Sequence, residues 1–125
     1  MPLESYRDLQ VRQKAMDLVV ECYRAAENFP RTEAYGLVVQ LQRAIVSVPA
    51  NIAEGQGRNH TNELINHLSI AYGSLMEVET DLQIAARLNY INEDLLQGLL
   101  IRTNEIGRMP NGLMQSLRRR LTIDH

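Results

Sequence analysis

The residues with the most chemical potential stand together in SVPANIAEGQGRNHTNE, residues 47–63. Gly55-Gln56-Gly57 invites comparison with a phosphate-cradling loop. A Walker loop needs Gly-x-x-x-x-Gly-Lys-Ser/Thr after a strand, and a dinucleotide fingerprint needs Gly-x-Gly-x-x-Gly between strand and helix. Neither the lysine nor the third glycine is present, and the preceding residues have helical spacing. The glycines are expected to end a helix, with Gly55 or Gly57 adopting positive φ. Ser47, Asn51 and Glu54 share one helical face beside Pro49. Ser47 and Asn51 can serve backbone groups freed by the proline, and Glu54 can pair with Arg58 or with an arginine of another helix. Ser47, Pro49, Asn51, Glu54 and Gly55 therefore form a candidate structural or subunit-interface motif.

Other chemistries find less support. A di-iron bundle site needs Glu-x-x-His on two helices, and the sequence contains no such motif. Glu63 and His67, four apart, are expected to make an exposed helix-surface contact. His60 lies in the polar joint and His125 at the end of the chain. The serines in helical segments lack the Gly-x-Ser-x-Gly elbow of a nucleophile. Cys22, the single cysteine, sits among apolar residues and reads as a small core hydrophobe. No catalytic, cofactor or metal residues are assigned, and the chain is expected not to be an enzyme.

Arginine is the remaining candidate. Twelve of the thirteen basic residues are arginine, Lys14 being the exception. Arginine suits bidentate phosphate or carboxylate contacts. Arg118, Arg119 and Arg120 form the only dense basic run, suited both to a helix C-terminus and to phosphate contact. With Arg43 and Arg58 they are the candidate nucleic-acid contacts. Fifteen acidic residues give a formal net charge of -2, so any such contact must come from a local patch. The tyrosines do not form an RNA-stacking platform.

The elements that position these residues are helical. Val11, Ala15, Leu18, Cys22, Ala25 and Phe29 follow spacings of four and three. Leu37, Leu41, Ala44 and Val48 do the same, with Val38, Ile45 and Ile52 in a neighbouring row. Leu64, Leu68, Ala71, Leu75, Val78, Leu82 and Ala85 form the cleanest seam. Leu96, Leu99, Thr103, Ile106, Pro110, Leu113 and Leu117 form the fourth. The spacing predicts helices over about 8–28, 33–55, 61–88 and 93–120. Expected caps are Asp8, Thr32, Asn59 or Thr61, and Asn92. The fold class is all-α: one domain, an antiparallel up-down-up-down four-helix bundle, kinked near Pro49 and at Pro110. No apolar run reaches the ~18 residues of a membrane span and residues 1–30 lack a signal peptide's apolar segment, so a cytoplasmic location is expected. Ile70, Tyr72 and Ile84 lie off the third seam and leave apolar surface for an oligomer to cover.

YRDLQVRQKA (6–15), FPRTEAYGLVVQLQRAIVSVPANIAEGQGR (29–58), LSIAYGSLMEVETDLQIAARLNYI (68–91) and GRMPNGLMQSL (107–117) resemble the 23S rRNA intervening-sequence proteins, which are similar to the accessory variability determinant proteins of diversity-generating retroelements. The resemblance implies a homopentamer of four-helix bundles around a central channel. In the retroelement relatives that barrel is basic, binds nucleic acid and engages a reverse transcriptase, so RNA or DNA and such an enzyme are the implied partners. Arg12 stands where the family commonly has an aromatic residue and Pro110 where it usually has leucine. The resemblance carries no catalytic residue.

Overall fold

The structure, a computed structural model, describes residues 6–123, with side chains from 10 to 122. Four helices account for it: α1 (Tyr6–Ala26), α2 (Leu37–Gln56), α3 (Thr61–Arg87) and α4 (Glu93–Ile123). No strand occurs among the described residues, and the fold is all-α. No helix among them is long and apolar enough to cross a membrane. α2 packs on α1 and α3, and α4 packs on α3 and α1. Side-chain contacts between α2 and α3 join Ser47 to Ser74 and Asn51 to His67, rising numbers on one helix meeting falling numbers on the other.

The heptad seams become the core. Ala15, Leu18, Cys22, Ala25 and Phe29 are buried, as is every residue of the third seam. Burying side chains of this size contributes roughly 1.5–3 kcal/mol each before the entropy of ordering them. On α4 the seam shifts after Pro110: Met114 is buried where Leu113 was expected, and Leu113 is half-buried. Met114 and Leu117 pack with Leu64 and Leu68 in a cluster of their own, so the last turns of α4 lie beside the first turns of α3. Burial pushes the Cys22 thiol up to about 12. It is an inert core side chain at neutral pH.

Several ends differ from the sequence expectation. α1 begins at Tyr6, so Asp8 lies within its first turn; its side chain, like His125, is outside the described residues. Thr32 does not cap α2. Residues 31–33 form a single 3-10 turn and the helix begins at Leu37, after Gly36. Glu33 does the capping from four residues upstream: its Oε1 accepts the Leu37 N–H at 3.3 Å while Oε2 accepts the Tyr90 hydroxyl at 2.9 Å. That bond to a carboxylate also holds the Tyr90 phenol above its usual titration range. Neither Asn59 nor Thr61 caps α3; His60 occupies the cap position without a side-chain bond, and Glu63 supplies the acidic first turn. Asn92 does cap α4, its Oδ1 accepting the Leu95 N–H at 2.8 Å.

The α3–α4 joint is a Schellman turn. Asn89 takes φ 62°, the Tyr90 N–H reaches the Ala85 carbonyl at 2.8 Å and the Asn89 N–H reaches Ala86 at 3.0 Å. Asparagine tolerates this left-handed conformation better than other residues with a Cβ. Tyr90 then folds onto Phe29, ring centroids 5.4 Å apart, tying the joint to the end of α1.

Candidate functional site

Ser47 and Asn51 sit one turn apart on α2 and face α3 around Pro49, through which α2 continues unbroken. The Asn51 amide nitrogen lies 2.9 Å from both the Ser47 carbonyl oxygen and Ser47 Oγ. A carbonyl only accepts, so that amide atom must be nitrogen and Oδ1 must face α3. Oδ1 is 3.0 Å from His67 Nδ1, which therefore carries a hydrogen whether the ring is neutral or charged. The Pro49 ring itself deprives the Ile45 carbonyl of its helical donor; Asn51 serves Ser47 instead, two residues further along.

From α3, Ser74 Oγ meets Ser47 Oγ at 2.8 Å. Two hydroxyls share that single bond, and Ser47 Oγ already accepts from Asn51. Whichever of the pair donates, one O–H is left without an acceptor among the described residues. A chain of hydrogen bonds thus runs Ser74–Ser47–Asn51–His67 along the α2–α3 seam. His67 was expected to contact Glu63; it pairs with Asn51 and Glu63 points to solvent.

Gly55 lies at the end of this seam and is buried. The positive φ expected of it or of Gly57 is absent: no described glycine has positive φ, and Gly57 ends the helix at φ -81°, ψ -3°. The reason for Gly55 is close approach. A Cβ there would stand 2.9 Å from the His67 Cβ and 3.2 Å from Leu64 Cδ1, distances a packed core does not absorb without moving a helix. Glu54, on the outer face, holds Arg58 at 2.9 Å in an exposed pair.

The arginines divide into two places. Arg118, Arg119 and Arg120 are all exposed on the last turns of α4. Those turns pack on the start of α3, so they share one end of the bundle with Arg58, in the preceding joint, and with Arg12, whose Nη1 donates to Gln56 at 3.0 Å. Arg43 stands apart, beside Ser47 in an open groove between α2 and α3.

Two polar residues lie in the core, one on an expected seam and one beside a seam. Thr103 fell on the fourth seam by spacing, and its hydroxyl reaches Glu79 Oε2 at 2.5 Å and the Leu100 carbonyl at 2.9 Å. Asp81, between Val78 and Leu82 of α3, is 2% exposed and its Oδ2 has no hydrogen-bond partner. Burial, and secondarily the charge of Glu77, pushes its carboxyl up to about 6. A charged residue one step from an apolar seam was the available clue. Among the described residues no three His, Cys, Asp or Glu side chains gather as a metal site would require.

Nine large apolar side chains are exposed among the described residues, and those of α1 line up. Met16, Val20 and Tyr23 repeat along one face of α1 and are 54%, 48% and 42% exposed; Tyr23 lines a shallow depression with Val39 and Val46 of α2. Ile70 and Ile84 are exposed on α3. Tyr72, expected to be free, packs against the Leu64–Leu117 cluster instead.

Among curated proteins none matches the chain. Among solved structures, the fold is similar to that of a protein of unknown function from the S23 ribosomal protein family of Bacteroides thetaiotaomicron. That likeness has a TM-score of 0.79 at 22% identity and covers 86% of this chain and 97% of the other. A family model described as 23S rRNA-intervening sequence protein matches residues 7–112, and with the first three seams and the 47–58 motif inside that span, the chain belongs to this family.

Proposed function

We propose that the protein is a non-enzymatic, homo-oligomeric helical scaffold that contacts nucleic acid through arginine patches. The observation that carries this reading is the exposed apolar patch of Met16, Val20, Tyr23 and Val46 on α1 and α2, with Ile70 and Ile84 also exposed on α3. Monomers rarely leave such stripes uncovered. A patch that meets a different face of the next copy makes a heterologous contact, and such contacts close into a ring. The resemblance to retroelement accessory proteins supports five copies, with a reverse transcriptase or a similar protein as a partner. Up-down-up-down bundles bent at Pro49 and Pro110 would be the ring's staves.

A second reading, a dedicated RNA- or DNA-binding accessory protein, is favoured by the end of the bundle where Arg12, Arg58, Arg118, Arg119 and Arg120 gather against Glu54 and Glu63. Repetition around a ring would multiply that modest excess.

Val20→Glu together with Tyr23→Glu should convert the oligomer to a species of lower mass in size-exclusion chromatography with light scattering. An unchanged mass would remove the α1 patch from the interface. Binding to nucleic acid should fall steeply with salt, and alanine at 118, 119 and 120 should flatten that slope.

A further inference from the structure

The groove between α2 and α3, about 590 Å3, has Gln40, Arg43 and Ser47 on one side and Ser74 and Glu77 on the other, with Tyr35 beside them. Its hydrogen-bonding groups keep unspent capacity. One hydroxyl hydrogen of the Ser47–Ser74 pair has no acceptor among the described residues, as the hydrogen count above requires. Arg43 and Glu77 face the same space, and among the described residues neither meets an opposite charge within 4 Å. Tyr35 is 98% exposed, so its ring has a free face.

These groups constrain a ligand. A simple anion would meet the Glu77 carboxylate, and a simple cation would meet Arg43. The occupant must carry an acceptor, preferably charged, for Arg43 and the seryl O–H, and an N–H donor for Glu77. It must also offer a flat surface for Tyr35. One nucleotide has all three: phosphate oxygens, an amino group on the base edge, and an aromatic base.

We infer that this groove binds one nucleotide unit of a single-stranded nucleic acid, with an amino-bearing base read by Glu77, stacked on Tyr35, and its phosphate held by Arg43 and the Ser47–Ser74 hydroxyls. The inference rests on the nucleic-acid contact proposed above and adds a site remote from the basic end. Single-strand recognition commonly combines one stacked base, polar contacts to its edge and a cation on the backbone. Tyr35 is one stacking residue, not a platform, so the groove reads a base within a longer strand whose other phosphates meet arginines elsewhere.

The test is fluorescence anisotropy of the full-length protein with labelled ten-nucleotide oligo(C) and oligo(U) at 50 mM salt. Oligo(C) presents an exocyclic amino group, whereas the N3–H of oligo(U) lies between two carbonyl oxygens that repel a carboxylate, so oligo(C) should bind more tightly. Tyr35→Ala should weaken binding about ten-fold. Arg43→Ala should weaken it and lower the slope of log affinity against log salt by about 0.7. Glu77→Gln, which can donate as well as accept, should erase the preference for C over U. All three side chains are exposed, and unchanged circular dichroism would verify their folds. Variants that bind like the parent, while alanine at 118, 119 and 120 abolishes binding, would overturn the groove and leave nucleic-acid contact standing. A parent protein that binds neither oligonucleotide would overturn both. Variants that change the oligomer's mass would show the groove to be an interface between copies, which also overturns the inference.

Discussion

Asp81→Asn isolates the cost of a buried carboxylate. Asp81 sits in the α3 seam with Oδ2 sealed from solvent and without a partner, and with Glu77 one turn away. In the unfolded chain its carboxyl titrates near its ordinary 3.8; in the fold it titrates near 6. A raised acid makes the folded state the better proton binder between those values. Its favourable contribution is complete below pH 3.8, shrinks as pH rises toward 6, and is gone above it. At about 1.36 kcal/mol per pH unit the full interval corresponds to a ceiling of about 3 kcal/mol, and water admitted by local relaxation lowers the expected figure to about 1–2 kcal/mol. Asparagine keeps the shape and removes the charge, with a fixed cost or gain for its own polar atoms. Urea unfolding of both proteins at matched concentration, in steps from pH 4 to pH 7, gives the difference in stability at each pH. Titrations common to both cancel in that difference, including that of Glu105, which the Lys14 ammonium holds below its usual range. The variant should gain about 1–2 kcal/mol on the parent between pH 4 and pH 7. A difference constant across that range would refute the reasoning.

Asn89→Ala should cost about 1 kcal/mol in urea unfolding, because alanine resists φ 62°, while Asn89→Gly should be close to neutral. Gly55→Ala should lower stability by about 1–3 kcal/mol, since its Cβ would press on the His67 Cβ at 2.9 Å, and a melting temperature equal to the parent's would refute the close-approach role.

The elements were legible because seams of apolar residues repeat at helical spacing. Every position of the Leu64–Ala85 seam is buried. Legibility fails where the deciding contact is distant in the chain. The Ser47–Asn51 bond is four residues long and could be read locally; its partners Ser74 and His67 lie 27 and 16 residues on. Glu33 looked like the residue after a Thr32 cap, but its second oxygen is held by Tyr90, 57 residues away. That anchor moves the start of α2 to Leu37. Gly55 shows another limit: glycine serves left-handed turns and close helix contacts alike, and spacing does not distinguish them. After Pro110 the fourth seam had two adjacent apolar residues to choose from, Leu113 and Met114, and packing against Leu64 and Leu68 selected Met114.

The exposed apolar surface is the feature on which the proposed function depends most. Sedimentation equilibrium of the full-length protein weighs the assembly directly. The account predicts a species of five times the 14.2 kDa chain, about 71 kDa. A single species at 14.2 kDa across micromolar concentrations would contradict it.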